Sequence, residues 1–104
     1  IGDKAISAGE KSTITADNIK IKNSKIGIAS KDTSKFIGQK IQIKESLLFD
    51  LAAFNKKSIY KGGSINLRKS FIENKIISQF GSEIKLDKKI IDNQNIDIEY
   101  LYQI

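Results

Sequence analysis

Three short stretches decide the fold: Ile19-Lys20-Ile21-Lys22-Asn23-Ser24, Ile41-Gln42-Ile43-Lys44-Glu45-Ser46 and Ile65-Asn66-Leu67-Arg68-Lys69-Ser70. Each holds two apolar residues around a polar one, then a polar triplet ending in serine. The spacing is 22 residues from Ile19 to Ile41 and 24 from Ile41 to Ile65. A second register runs alongside: Ala5-Ile6-Ser7 matches Gly27-Ile28-Ala29 after 22 residues, and Asp50-Leu51-Ala52 follows after 23. Between them Glu10-Lys11-Ser12 matches Asp32-Thr33-Ser34, and Ile14 matches Phe36. Apolar residues at period two, separated by Gly, Ser, Asn or Asp, read as short strands. One such unit cannot bury its inward face alone, but stacked units can. Residues 5–70 therefore predict about three coils of a right-handed parallel β-helix.

The rest of the chain is less regular. Leu47-Leu48-Phe49-Asp50-Leu51-Ala52-Ala53-Phe54 could be helical by periodicity, but its alignment with residues 26–31 favours a strand. Ser70-Phe71-Ile72-Glu73 fits a capping box, and Ile72, Ile76, Ile77 and Phe80 form a helical stripe ending near Gly81. Against a helix there, Ser82-Glu83-Ile84-Lys85-Leu86-Asp87 reads as a further repeat strand. Residues 96–104 alternate cleanly, with Ile96, Ile98, Tyr100, Tyr102 and Ile104 on one side, and predict a strand closing the stack. The expectation is an all-β domain of about three to four coils. Residues 1–70 would be the repeat coils, and 71–104 a last irregular coil with a C-terminal cap.

Composition narrows the chemistry. The 104 residues suffice for one small domain, and 39% hydrophobic with 29% charged residues is a folded composition. With no cysteine, disulfides and thiolate metal sites are excluded. With no histidine, Ser-His-Asp and Cys-His systems and imidazole metal sites are excluded. Gly62-Gly63-Ser64 is a turn, not a phosphate loop. No run of 18 apolar residues exists, so no helical membrane span is expected. Ile1 opens the sequence and methionine is absent, which suggests a processed product or a piece of a longer protein. The net charge of +6 is uneven: residues 1–70 carry 14 basic and 6 acidic groups, residues 71–104 carry 4 and 6.

The wording of Gly2-Asp3-Lys4-Ala5-Ile6-Ser7-Ala8-Gly9-Glu10-Lys11-Ser12, of Ile26-Gly27-Ile28-Ala29-Ser30-Lys31-Asp32 and of Leu51-Ala52-Ala53-Phe54-Asn55-Lys56-Lys57 resembles the last coils of right-handed parallel β-helix proteins of the pectate-lyase-like superfold. Gly81-Ser82-Glu83-Ile84-Lys85-Leu86-Asp87-Lys88-Lys89 resembles the end of such regions. The likeness is greatest to β-helix regions of bacterial surface or envelope proteins, some linked to spore-coat-protein-H-like kinase domains. It implies a secreted or envelope location and upstream coils of the same parent as neighbours; kinase residues are not in this chain. β-Helices host lyases, hydrolases, adhesins and stalks, so the fold leaves activity open.

Two groups of residues are candidates for contact. Lys22, Lys44 and Arg68 occupy matching positions and should form a basic ladder, with Lys20, Gln42 and Asn66 beside it. Its functional reading is docking of an acidic glycan or surface; the alternative is a solvated face. The third repeat carries an insertion of two residues, and Lys56, Lys57, Tyr60 and Lys61 could stack on a sugar and pair with its acid group. The alternative is a longer turn with Tyr60 on the wall. Glu10 and Asp32 occupy matching turn positions on adjacent coils and read either as a weak cation or sugar site or as a solvated turn. Ser24, Ser46 and Ser70 read as a structural ladder.

No catalytic residue, metal site or cofactor is nominated. Aromatic residues are not interleaved with the basic ladder, which argues against nucleic acid. The leading expectation is a non-catalytic scaffold or surface module touching acidic glycans. The alternatives are a fragment of a polysaccharide lyase or hydrolase with its site upstream, and a self-associating module that pairs open strand edges into a homo-oligomer.

Overall fold

Isoleucine and other β-branched residues at alternate positions favour extended backbone with one face buried. The computed structural model, which describes residues 4–56, 59–73 and 75–94, is built that way throughout. Its strands are β1 (Lys4–Ala8), β2 (Thr13–Lys22), β3 (Ile26–Lys31), β4 (Lys35–Lys44), β5 (Phe49–Phe54), β6 (Ser64–Arg68), β7 (Phe71–Ile72), β8 (Ile76–Ser78), β9 (Glu83–Leu86) and β10 (Lys89–Ile90). No helix occurs among the described residues, so none is long and apolar enough to cross a membrane.

The strands form a parallel β-helix of about four coils. One sheet has the order β1-β3-β5-β8; the other has β10-β9-β6-β4-β2, with β7 also on β4. All of these pairs are parallel except the hairpin of β9 with β10. Stacking puts like on like. Ile14, Phe36, Ile65 and Ile84 are successive register partners in one sheet, as are Ile6, Ile28, Leu51 and Ile76 in the other. Phe36, Ile65, Ile84, Ile28 and Leu51 are fully buried, and Ile6, Ile14 and Ile76 are partly buried against them.

Left-handed backbone shapes each coil. In the first two coils Lys11, Asn18 and Asn23 have positive φ, and so do Thr33, Lys40 and Glu45, each 22 positions on. Asn18 and Lys40 lie inside long strands. There they reverse the alternation, so that Ile14 and Ala16 face the core before the corner and Ile19 and Ile21 face it after. Phe36, Gly38, Ile41 and Ile43 repeat this, all buried. Lys69 (φ 50°) makes the corresponding corner of the third coil.

This corner corrects the sequence alignment. Ile65 pairs with Phe36, an offset of 29, and not with Ile41 at 24. Ile41 is instead matched by Ser70, whose hydroxyl accepts the Ile41 N–H at 3.1 Å. The first two coils carry an apolar doublet on either side of the corner, and in the third coil Ser70 replaces the first residue of the second one. The Ile65-Leu67 doublet therefore belongs before the corner. The insertion grows accordingly: nine residues (55–63) join β5 to β6 where three (32–34) join β3 to β4. One further residue lies between β4 and β5, where four residues (45–48) replace three (23–25).

Side chains supply acceptors where backbone N–H groups leave the strand ladder, two of them at the start of the insertion. Buried Asp32 accepts the Lys56 N–H at 2.7 Å, and buried Asp50 accepts the Glu73 N–H at 2.8 Å. The Gln79 amide oxygen accepts the Asn55 N–H at 2.8 Å, and Asp87 accepts the Lys69 N–H at 3.0 Å. Asp32 is thus neither a solvated turn residue nor one half of an open acidic pair; it anchors a loop.

The region 71–80 is extended, with Phe71-Ile72 on Gln42-Ile43 and Ile76–Ser78 on Leu51–Ala53, so its helical reading is overturned. β5 and β9 form as the repeat implied. The expected closing strand at 96–104 lies outside the described residues.

Phe36 is 0% exposed at the centre of its column, so Phe36→Ala should cost about 3–5 kcal/mol. Ile37→Ala next door, on the outer face, should cost little. Urea unfolding of both variants measures the difference.

Candidate functional site

The third-coil insertion carries four of the residues nominated from the sequence. Its described part folds back on the coil before it. Lys61 donates its N–H to Thr33 Oγ1 at 3.1 Å, and the Thr33 N–H returns to the Lys61 carbonyl at 2.9 Å. That pair holds Thr33, a β-branched residue at φ 64°, in a conformation costly for its type. Gly63 closes the loop so tightly that a Cβ there would lie 1.9 Å from the Ser30 carbonyl oxygen. The Tyr60 ring has Lys11 Nζ at 5.6 Å from its centroid, a cation–π contact to the first coil. Of the four residues nominated here, Lys56 and Lys61 have their backbone N–H groups bonded to the coil before, Tyr60 has the Lys11 ammonium near its ring, and Lys57 lies outside the described residues.

The nominated basic ladder is divided by the corrected register. Lys22 and Lys44 are partners, but Arg68 pairs with Gln39, before the corner. Asn66 likewise pairs with Ile37 and not with Gln42. Lys22 is relieved by Glu45, 3.7 Å away, both well exposed, so that ion pair contributes at most about 1 kcal/mol. The expected serine ladder does not form: Ser24 and Ser46 are buried but their hydroxyls have no hydrogen-bond partner among the described residues, and Ser70 serves the corner.

A different cluster forms at the corner itself. Stacking Asn18, Lys40 and Lys69 in one left-handed column brings Lys20, Gln42 and Phe71 around them. They line an open cleft of about 290 Å³. Lys20, Lys40 and Lys69 make no ion pair among the described residues. Phe71 is 50% exposed, and Lys44 Nζ sits 5.6 Å from its ring centroid. The cleft therefore combines clustered ammonium donors, a side-chain amide and an aromatic face. Ammonium groups bind carboxylate or sulfate oxygens, and an aromatic face packs on the C–H side of a sugar ring.

On the near side of the corner lies a second, larger groove of about 530 Å³, lined by Thr15, Asp17, Ile37, Gln39, Asn66 and Arg68 among others. These residues come from three successive coils, two to a coil. Sequence reasoning missed both clefts because both depend on the 29-residue offset. The available signal was the reversal of apolar parity at Asn18 and Lys40. Among the described residues no three acidic side chains gather as metal ligands.

Removing the loop's anchor should loosen it without unfolding the stack. Asp32→Ala deletes the acceptor for the Lys56 N–H, worth about 1–3 kcal/mol where burial excludes water. Limited proteolysis should cut this variant between β5 and β6 faster than the parent, and equal rates would show that the loop is held by other contacts. None of the known family models, curated proteins or solved structures compared with this chain matches it.

Proposed function

We propose that the chain is a non-catalytic β-helix scaffold or surface module that contacts acidic glycans through the corner cleft. One observation carries the reading: Lys20, Lys40 and Lys69, from three successive coils, converge on an open cleft beside the half-exposed ring of Phe71.

Like charges held on adjacent strands repel, and solvent and salt keep the cost small. An anionic ligand turns that repulsion into attraction. Lysine suits a ligand whose acid groups recur along a chain, because its flexible stem and three donors tolerate variable spacing. The rigid stack suits it too, since the backbone column that positions the lysines needs no ordering when the ligand arrives. A secreted or envelope setting on a bacterial surface belongs to the same proposal. It draws on the likeness of the coils to β-helix regions of such proteins.

Calorimetric titration with an oligogalacturonate tests the reading. The double variant Lys40→Gln/Lys69→Gln should bind roughly tenfold more weakly, since each exposed ion pair is worth up to about 1 kcal/mol. Affinity of the parent should also fall as salt is raised. Equal binding by parent and variant, or no dependence on salt, would remove the corner cleft as the contact.

A further inference from the structure

The outer face of the corner is two-sided, and its two sides differ in chemistry. After the corner it is basic, as described. Before the corner, the column Asp17–Gln39–Arg68 runs from a carboxylate through an amide to a guanidinium, with register partners about 4.8 Å apart. The parallel column is Thr15–Ile37–Asn66. Ile37 is 45% exposed at the centre of this patch, an apolar side chain with hydrogen-bonding groups on both flanking strands. Asp17 and Arg68 make no ion pair among the described residues, although the stack places them only two strands apart. Their charges offset each other across the groove, so it has no net attraction for an anion. It offers an apolar platform ringed by donors and acceptors of both kinds, which is what an uncharged sugar ring requires.

The two sides are close. Asp17 and Lys20, Gln39 and Gln42, and Arg68 and Phe71 are each three residues apart along one backbone, a contour of about 10 Å shortened by the bend. Neighbouring rings of one oligosaccharide can occupy both.

We infer that the corner is a bipartite saccharide site, with a neutral ring seated on Ile37 between Gln39, Asn66, Asp17 and Arg68, and a uronate seated at Lys20, Lys40 and Lys69. The inference rests on the acidic-glycan reading and sharpens it: the ligand class is a heteroglycan that alternates neutral and acidic sugars, not a homopolymer of uronate. The balanced charges of Asp17 and Arg68 underlie the distinction, because a second carboxylate placed in the groove gains from Arg68 what it loses to Asp17, whereas a neutral ring uses the groove's hydrogen-bonding groups without that conflict.

The test compares three oligosaccharides of equal length: one alternating uronate with neutral hexose, one all uronate, and one all neutral. The alternating compound should bind about tenfold more tightly than the all-uronate one at the same salt. Gln39→Ala/Asn66→Ala should abolish that preference and leave all-uronate affinity unchanged, whereas Lys40→Gln/Lys69→Gln should weaken both acidic compounds. All four positions lie on the outer face, and matching thermal midpoints would confirm that the variants fold. Equal or tighter binding of the all-uronate compound would overturn the bipartite site alone and leave the acidic-glycan reading standing. Failure of both acidic compounds to bind would overturn the two together.

Discussion

A ten-residue strand that ran straight could not enclose a core, and one left-handed residue in its middle lets it do so. Asn18, Lys40 and Lys69 each bend the chain; strand pairing resumes on both sides of Asn18 and Lys40, and the Lys69 N–H is taken by the Asp87 carboxylate instead. The bend also reverses which parity faces inward, so apolar residues on both arms reach the same interior. A left-handed residue with a Cβ costs roughly 1–2 kcal/mol. Burial of one large aliphatic or aromatic side chain returns about 1.5–3 kcal/mol, and each bend turns several inward. The corner is therefore favourable only because the coils stack. Asparagine bears the strain most easily, whereas lysine at the other two corners needs a further reason to be there.

On the proposed function, that reason is the outer face. A corner residue points its side chain away from the core, and stacking sets the corners of successive coils one strand apart. Lysines at two corners, with Lys20 beside them, concentrate positive charge where it cannot be spread. The cost is small in water, and under the proposed function an anionic partner supplies the gain. The backbone constraint that closes the core is thus the same one that builds the cleft.

The repeat was legible in the sequence wherever spacing was conserved between coils. Ile6 with Ile28, Ile28 with Leu51, and Ile14 with Phe36 pair as their spacing implied. The third coil was misread because an apolar-polar-apolar triplet looks the same on either arm of a corner. Only the parity break at Asn18 and Lys40 tells the arms apart, and in the third coil Ser70 stands where an isoleucine would have revealed it. The clefts were hidden for the same reason, since each gathers residues across that coil. The loop was hidden differently: Asp32 read as half of an acidic pair at a turn, and nothing local says that a buried carboxylate will accept a backbone N–H from a segment more than twenty residues away.

The register of the third coil underlies the cleft, the groove and the length of the loop, and the absence of cysteine makes it directly testable. Paired cysteines introduced at Gln39 and Arg68 should cross-link rapidly under mild oxidation, since adjacent strand partners lie within disulfide reach. Cysteines at Lys44 and Arg68 should not. Rapid cross-linking of the second pair and not the first would restore the 24-residue register and contradict the account.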